Sequence, residues 1–179
     1  MDYKTHPTSR EELRKMAKLI RKIFGCQEKY YFDVVDAFER TPQKFTQITC
    51  AVLDDAEMEN GVPARCTPDM NGHYLIEVKN SVYEGAVAGK GGYRAHILHE
   101  ICHAILCLFG FTPILHCAYK NKELQPYESM EWQAKALCGE VMIPYEKCKN
   151  YSLDKIISKT QSSTEQARYF INKVVKGDD

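Results

Sequence analysis

What this 179-residue chain lacks narrows it before any motif does. Its eight cysteines, at 26, 50, 66, 102, 107, 117, 138 and 148, never occur as Cys-x-x-Cys. That leaves no local pattern for a cysteine-based zinc site. Neither charge is in surplus, with 24 Lys and Arg against 24 Asp and Glu. No global field therefore draws the chain to nucleic acid or an anionic membrane. Long apolar runs are missing too. The longest stretch free of Asp, Glu, Lys and Arg, Ile101 to Tyr119, is broken by His103, Gly110, Pro113 and His116. It makes a poor membrane span. The opening MDYKTHPTSREEL has no apolar segment of the secretory kind, so a cytoplasmic protein with reduced, buried thiols is expected. There are no internal repeats, low-complexity tracts or linkers, and the length suits one domain, 1–179.

What is present reads as α+β. Thr8 or Ser9 can cap a helix over about 10–24, with Leu13, Ala17, Ile20 and Phe24 on one face. The opposite faces carry Arg14, Lys15, Lys18, Arg21 and Lys22, a solvated basic surface by default. A second helix is expected from about Glu28 to Arg40, stopping before Pro42. Together these form N-terminal helices over 10–41. Ile48–Leu53 reads as a strand, and 64–67 with 73–79 as a hairpin turning at Asn71-Gly72. EGAVAGKGGYR, residues 84–94, sits where a phosphate loop would. Its glycines enclose three residues instead of four, and Gly91 replaces Ser or Thr after Lys90, so a flexible loop at a site's mouth is expected instead. Helices follow over about 93–109, 127–141, 153–159 and 164–175. The expected architecture is a small antiparallel sheet packed by helices. Its core spans about 48–144, and closing helices lie within 152–175.

The chemistry is carried by His99-Glu100-Ile101-Cys102-His103. Residues four apart on a helix share a face, so His99 and His103 can offer two imidazole nitrogens to one metal ion. Glu100, about 100° around the helix, can reach a water beside the ion without being a ligand. This is the HExxH arrangement of metallopeptidases. With 6 histidines and 15 glutamates in the chain, about 0.016 accidental matches are expected for such a motif. Lone histidines more often pack or face solvent, and His6, His73 and His96 are left in that role.

A third ligand is needed. The extended motif requires Gly at 106 and His at 109, but the chain has Leu106 and Phe109. The other solution is a glutamate on a second helix, and ESMEWQAKALCGEVMIP offers Glu128, Glu131 and Glu140. Glu131 borders the apolar stripe of Met130, Ala134, Leu137 and Val141. It shares a face with Ala134 and Cys138, whose small size permits close helix approach. Glu140 lies about 180° away. The ranking is Glu131, then Glu128, then His116 in the intervening loop.

YRAHILHEICHAIL followed by EWQAKALCGEVMIP resembles the ImmA/IrrE family of metallopeptidase-like proteins. That family follows its HExxH helix with a helix of the form E-x-x-A-N-x-F-A-A-E-L-L-M-P. Glu131, Ala134, Glu140 and Pro144 fall at matching places. The likeness covers about 48–144, and the tail YSLDKIISKTQSSTEQARYFINKVV is similar to the family's closing pair of helices. Lys135 stands for the usual Asn, Leu137 for Phe, and Cys138 and Gly139 for two alanines. Lys135, one turn beyond Glu131, can ion-pair with it. The resemblance implies a zincin-like fold of bacterial or mobile-element origin. It also implies transcriptional regulation through cleavage of a helix-turn-helix repressor.

The resulting expectation is a zinc endopeptidase. His99, His103 and Glu131 hold Zn²⁺ and Glu100 is the catalytic base. Tyr93, Arg94, His116, Tyr119 and Tyr127 are candidates to stabilise the oxyanion. The alternative is a metal-binding regulator that recognises a partner or DNA without proteolysis.

Overall fold

The computed structural model describes residues 2–114 and 124–177, which contain eight α-helices and one three-stranded sheet. The expected helix α1 forms at Arg10–Ile23. Ser9 and Glu12 close a reciprocal capping box at its start, satisfying two otherwise unpaired amides. Leu13, Ala17, Ile20 and Phe24 are all buried.

Helix α2 occupies Val34–Lys44, not 28–40, and Pro42 lies within it. Two local facts explain the shift. The buried Arg21 guanidinium collects the carbonyls of Cys26, Lys29 and Tyr30, which gathers this segment around one side chain instead of along a helix axis. Asp33 then caps α2 by accepting the Asp36 N–H at 3.1 Å. Near the other end, the Thr41 hydroxyl donates to the Ala37 carbonyl at 2.7 Å, and the turn holds through Pro42 to the Phe45 N–H on the Thr41 carbonyl.

The sheet is mixed, not antiparallel as expected. Strands β1 (Ile48–Leu53), β2 (Ala64–Pro68) and β3 (Tyr74–Lys79) lie in the order β1-β3-β2. β1 runs parallel to β3, and β2 antiparallel to it. Leu53 pairs with Lys79 and Ala64 with Val78, so residues 54–63 pass the outgoing end of β3. That path spans only two strand spacings, roughly 10 Å. Strand order is a tertiary property, and the alternation within each strand is the same either way. The hairpin turn is also longer than Asn-Gly. Asp69 Oδ1 accepts the amides of Asn71 and His73 at 2.7 and 2.8 Å, and the Asp69 N–H pairs with the His73 carbonyl. The turn therefore closes on Asp69 and His73, with Gly72 at a φ of 78°.

The segment 84–94 is not a loop. Helix α3 (Asn80–Val87) runs into it, Gly89 breaks the chain direction at a φ of 79°, and α4 (Gly91–Leu108) begins at once. The glycines serve close packing. A Cβ on Gly85 would lie 2.8 Å from the Tyr93 ring, and one on Gly91 only 2.6 Å from the Ser163 amide nitrogen. Because the Gly91 neighbour is backbone, Gly91→Ala should destabilise the protein by about 1–3 kcal/mol. A denaturant melt of the variant matching wild type would contradict this close contact.

Helix α4 is the centre of the fold. Ile97, Leu98, Ile101, Cys102, Ala104, Ile105 and Leu106 have no exposed surface. Helix α5 (Met130–Met142), entered through a 3₁₀ turn at Pro126–Glu128, packs between α1 and α4. Helices α6 (Tyr145–Cys148), α7 (Leu153–Thr160) and α8 (Thr164–Tyr169) close the chain. α8 widens into a π-helix over Phe170–Val175, where one continuous α-helix was expected. The seven described cysteines are free. Burial pushes the Cys50 and Cys138 thiols up to about 12, which leaves them protonated and inert. Among the described residues, no helix is long and apolar enough to cross a membrane.

Candidate metal centre

Helices α4 and α5 bring His99, His103 and Glu131 together as a group that could hold a metal ion. The i, i+4 histidines face one another with their Nε2 atoms 3.0 Å apart. Glu131 Oε2 lies 3.4 Å from His99 Nε2, and Oε1 lies 3.3 Å from His103 Nε2. Ligand bonds of 2.0–2.2 Å in a tetrahedron separate the ligand atoms by about 3.3 Å. The two nitrogens lie close to that spacing, and each has one Glu131 oxygen at that distance, with all three donors within 4.8 Å of one another. The composition of the set, two imidazoles and a carboxylate, also suits zinc.

The helices place these groups for sequence reasons. Ser129 caps α5 by accepting the Trp132 N–H at 2.9 Å, which sets Glu131 in the first turn. Ala134 is fully buried, and the Cys138 thiol donates to the Ala95 carbonyl of α4 at 3.7 Å. Those small side chains permit the close approach. The Glu131 carboxyl is held well below the usual carboxylate range, chiefly by hydrogen bonding with His103, then His99. It remains ionised and ready to ligate.

Glu100 takes the opposite shift. Burial holds its carboxyl above the ordinary range, opposed by His99 and His103 and, least of all, by the nearby backbone amide of Cys66 on β2. Sequence reading missed this neighbour of Glu100, because it depends on β2 lying against α4. No local signal marks it.

The remaining candidates are engaged elsewhere. Glu128 forms an ion pair with Lys4 at 2.9 Å. Glu140, nearly fully buried, accepts two hydrogen bonds from Arg14 at 2.9 and 3.0 Å, on the side of α5 packed by α1. His96 is exposed and outside the group, with its pKa lowered by the protein around it and by His99. His73 pairs with Asp69 in the hairpin turn. The Lys135 ammonium is 3.9 Å from Glu131 Oε2 and 70% exposed. An ion pair this long and wet contributes little.

No family model, curated protein or solved structure matches the chain.

The donor set itself thus carries the case for a metal. Of the oxyanion candidates, Arg94 is corrected. It is fully buried, donates to the Gln161 carbonyl between α7 and α8, and lies 5.0 Å from the Tyr31 ring centre. The cause is the packing of Gly91 on residues 161–163, which draws this face of α4 inward. Tyr127 is half exposed and lines a surface cleft with Pro7, Arg10 and Trp132. Tyr93 lies over Gly85, with its ring 5.4 Å from the Lys90 ammonium. His116 and Tyr119 lie outside the described residues.

Proposed function

We propose that the protein is a zinc-dependent endopeptidase of zincin-like fold. Its substrate is a narrow protein target, a helix-turn-helix repressor or similar regulator met in the cytoplasm. The observation that carries this reading is the convergent His99–His103–Glu131 set, with Glu100 on the histidine helix. Zinc, when bound, supplies Lewis acidity toward a carbonyl oxygen and lowers the pKa of a water toward about 7.

The rest is done by the chain. His99 and His103 present imidazole nitrogens, and Glu131 a carboxylate that resists protonation. Glu100 accepts a proton from the attacking water at its carboxylate and passes it to the leaving amine. A carboxyl raised by burial is a better base for that task than an ordinary one. β2 is an edge strand beside Glu100, and an edge offers an extended peptide main-chain pairing. That favours a polypeptide substrate over a small molecule. The repressor class follows from the ImmA/IrrE resemblance of residues 93–106 and 131–144.

A metal-binding regulator without proteolysis would use the same ligands, and Lys135 is the residue that favours it. Its contact with Glu131 is too long and exposed to silence the site. The basic face of α1 also gives DNA less to hold, since Arg14 and Arg10 are drawn to Glu140 and Arg21 is buried.

The test is direct. Untagged protein reconstituted with zinc should retain about one equivalent, as a single three-ligand site requires. A chelator should stop cleavage of a co-expressed helix-turn-helix repressor. Retention below a few tenths of an equivalent would sink the metal reading.

A further inference from the structure

Residues 2–8, ahead of α1, form a strap that joins the exit of the histidine helix to the start of the glutamate helix. On one side, the Lys4 carbonyl accepts the Ile114 N–H at 2.8 Å and the Thr5 hydroxyl donates to the Thr112 carbonyl at 3.0 Å. On the other, the Thr5 N–H donates to the Glu128 carbonyl at 2.9 Å and the Thr8 N–H to the Tyr127 carbonyl at 3.0 Å. Lys4 and Ser129 form an antiparallel bridge. Gln133 of α5 also donates to the His6 carbonyl at 2.8 Å. Thr5, Thr8, Ser129 and Gln133 are all buried. Polar groups buried and paired in this way hold a defined geometry.

The strap reaches the metal centre through helix capping. The first amides of a helix have no partner inside it. At the start of α5, the Met130 N–H donates to the Tyr3 carbonyl at 3.0 Å, and the Glu131 N–H to Asp2 Oδ1 at 3.2 Å. The next amide, Trp132 N–H, donates to the Ser129 hydroxyl. That hydroxyl in turn donates to Asp2 Oδ2 at 2.6 Å. Two of these three amides are thus satisfied by the strap, and one of them belongs to Glu131 itself. A carboxylate at this helix end is also favoured by the helix dipole.

We infer that Asp2 is a positioning residue for Glu131, and that the 2–8 strap sets the separation of that ligand from His99 and His103. The inference rests on the metal reading above. Asp2 touches no ligand side chain; it fixes the backbone from which one projects. A site of this kind works only when its ligands are held within about 0.5 Å, and α5 would otherwise be free to fray at the residue that matters.

The experiment compares wild type, Asp2→Ala and Asp2→Asn by zinc competition with a chromophoric chelator. Cobalt absorption of the loaded proteins and amide exchange at Met130 and Glu131 of the metal-free proteins are measured alongside. D2A should bind zinc about tenfold more weakly, at the lower end of the effect of outer-shell partners. Its cobalt spectrum should change and its Glu131 amide should exchange faster. D2N keeps an oxygen acceptor for that amide and should recover most of the affinity. A role in general stability alone predicts no such recovery and no spectral change. D2A with wild-type zinc affinity would overturn the inference, as would D2N as weak as D2A. Wild type that takes up no zinc would instead overturn the metal reading, and this inference with it.

Discussion

Glu100→Gln should leave zinc bound and remove about 10²–10⁴-fold of the cleavage rate, the usual share of a general base. The side chain is not one of the three grouped donors, so affinity for the ion should hold. What disappears is the proton acceptor. Stability should move the other way. Burial disfavours the ionised Glu100 carboxylate, so its folded pKa is raised. Such a group favours folding fully below its unfolded pKa and loses that contribution as pH rises through the folded value. In the metal-free protein at neutral pH, the ionised carboxylate is therefore a cost that Gln does not bear. E100Q should melt at or above the wild-type temperature at pH 7, and the two should converge in acid. Reduced rate with unreduced stability separates a lost base from a damaged fold. Wild-type turnover by E100Q in a purified cleavage assay would dispose of the hydrolytic mechanism.

The two helices that build the centre were legible in the sequence because their signals are local. HEICH fixes its own geometry once the segment is helical, and the apolar stripe of α5 places Glu131 and Glu140 on opposite sides. The structure has Glu131 beside the histidines and Glu140 beside Arg14. Misreadings cluster where the deciding contact is distant in sequence. Residues 28–32 are non-helical because Arg21 gathers nearby carbonyls around itself. β1 is parallel because β3 lies between it and β2. Gly85 and Gly91 read as loop flexibility but are there for close packing. Arg94, near the motif on paper, turns inward to Gln161. The Asp2–Glu131 link joins residues 129 positions apart, and no periodicity signals it.

Glu131→Ala should weaken zinc binding by more than the roughly 10–100-fold that outer-shell changes cause, since it removes an inner ligand and the site's one anionic donor. Among the described residues, the other glutamate candidates are already engaged. Glu128 is tied to Lys4 and Glu140 to Arg14. Acid should also release the ion from wild type, because histidine ligands bind metal only when deprotonated. Glu131 is not the group that fails first, since its carboxyl is held below the usual range by His103 and His99. A depressed carboxyl contributes stability above its unfolded pKa and loses it as pH falls toward the folded value. Metal-free E131A should therefore melt below wild type at pH 7, and the gap should narrow as pH drops below the ordinary carboxyl value of 4.5. Glu131 is 37% exposed, so solvent screening keeps that gap small. The stability signs are opposite for the two glutamates: E100Q holds or gains at neutral pH, and E131A loses. Their effects on zinc are opposite as well, with the ion retained in one and lost in the other. E131A that keeps wild-type zinc affinity by chelator competition would show that the third ligand lies elsewhere.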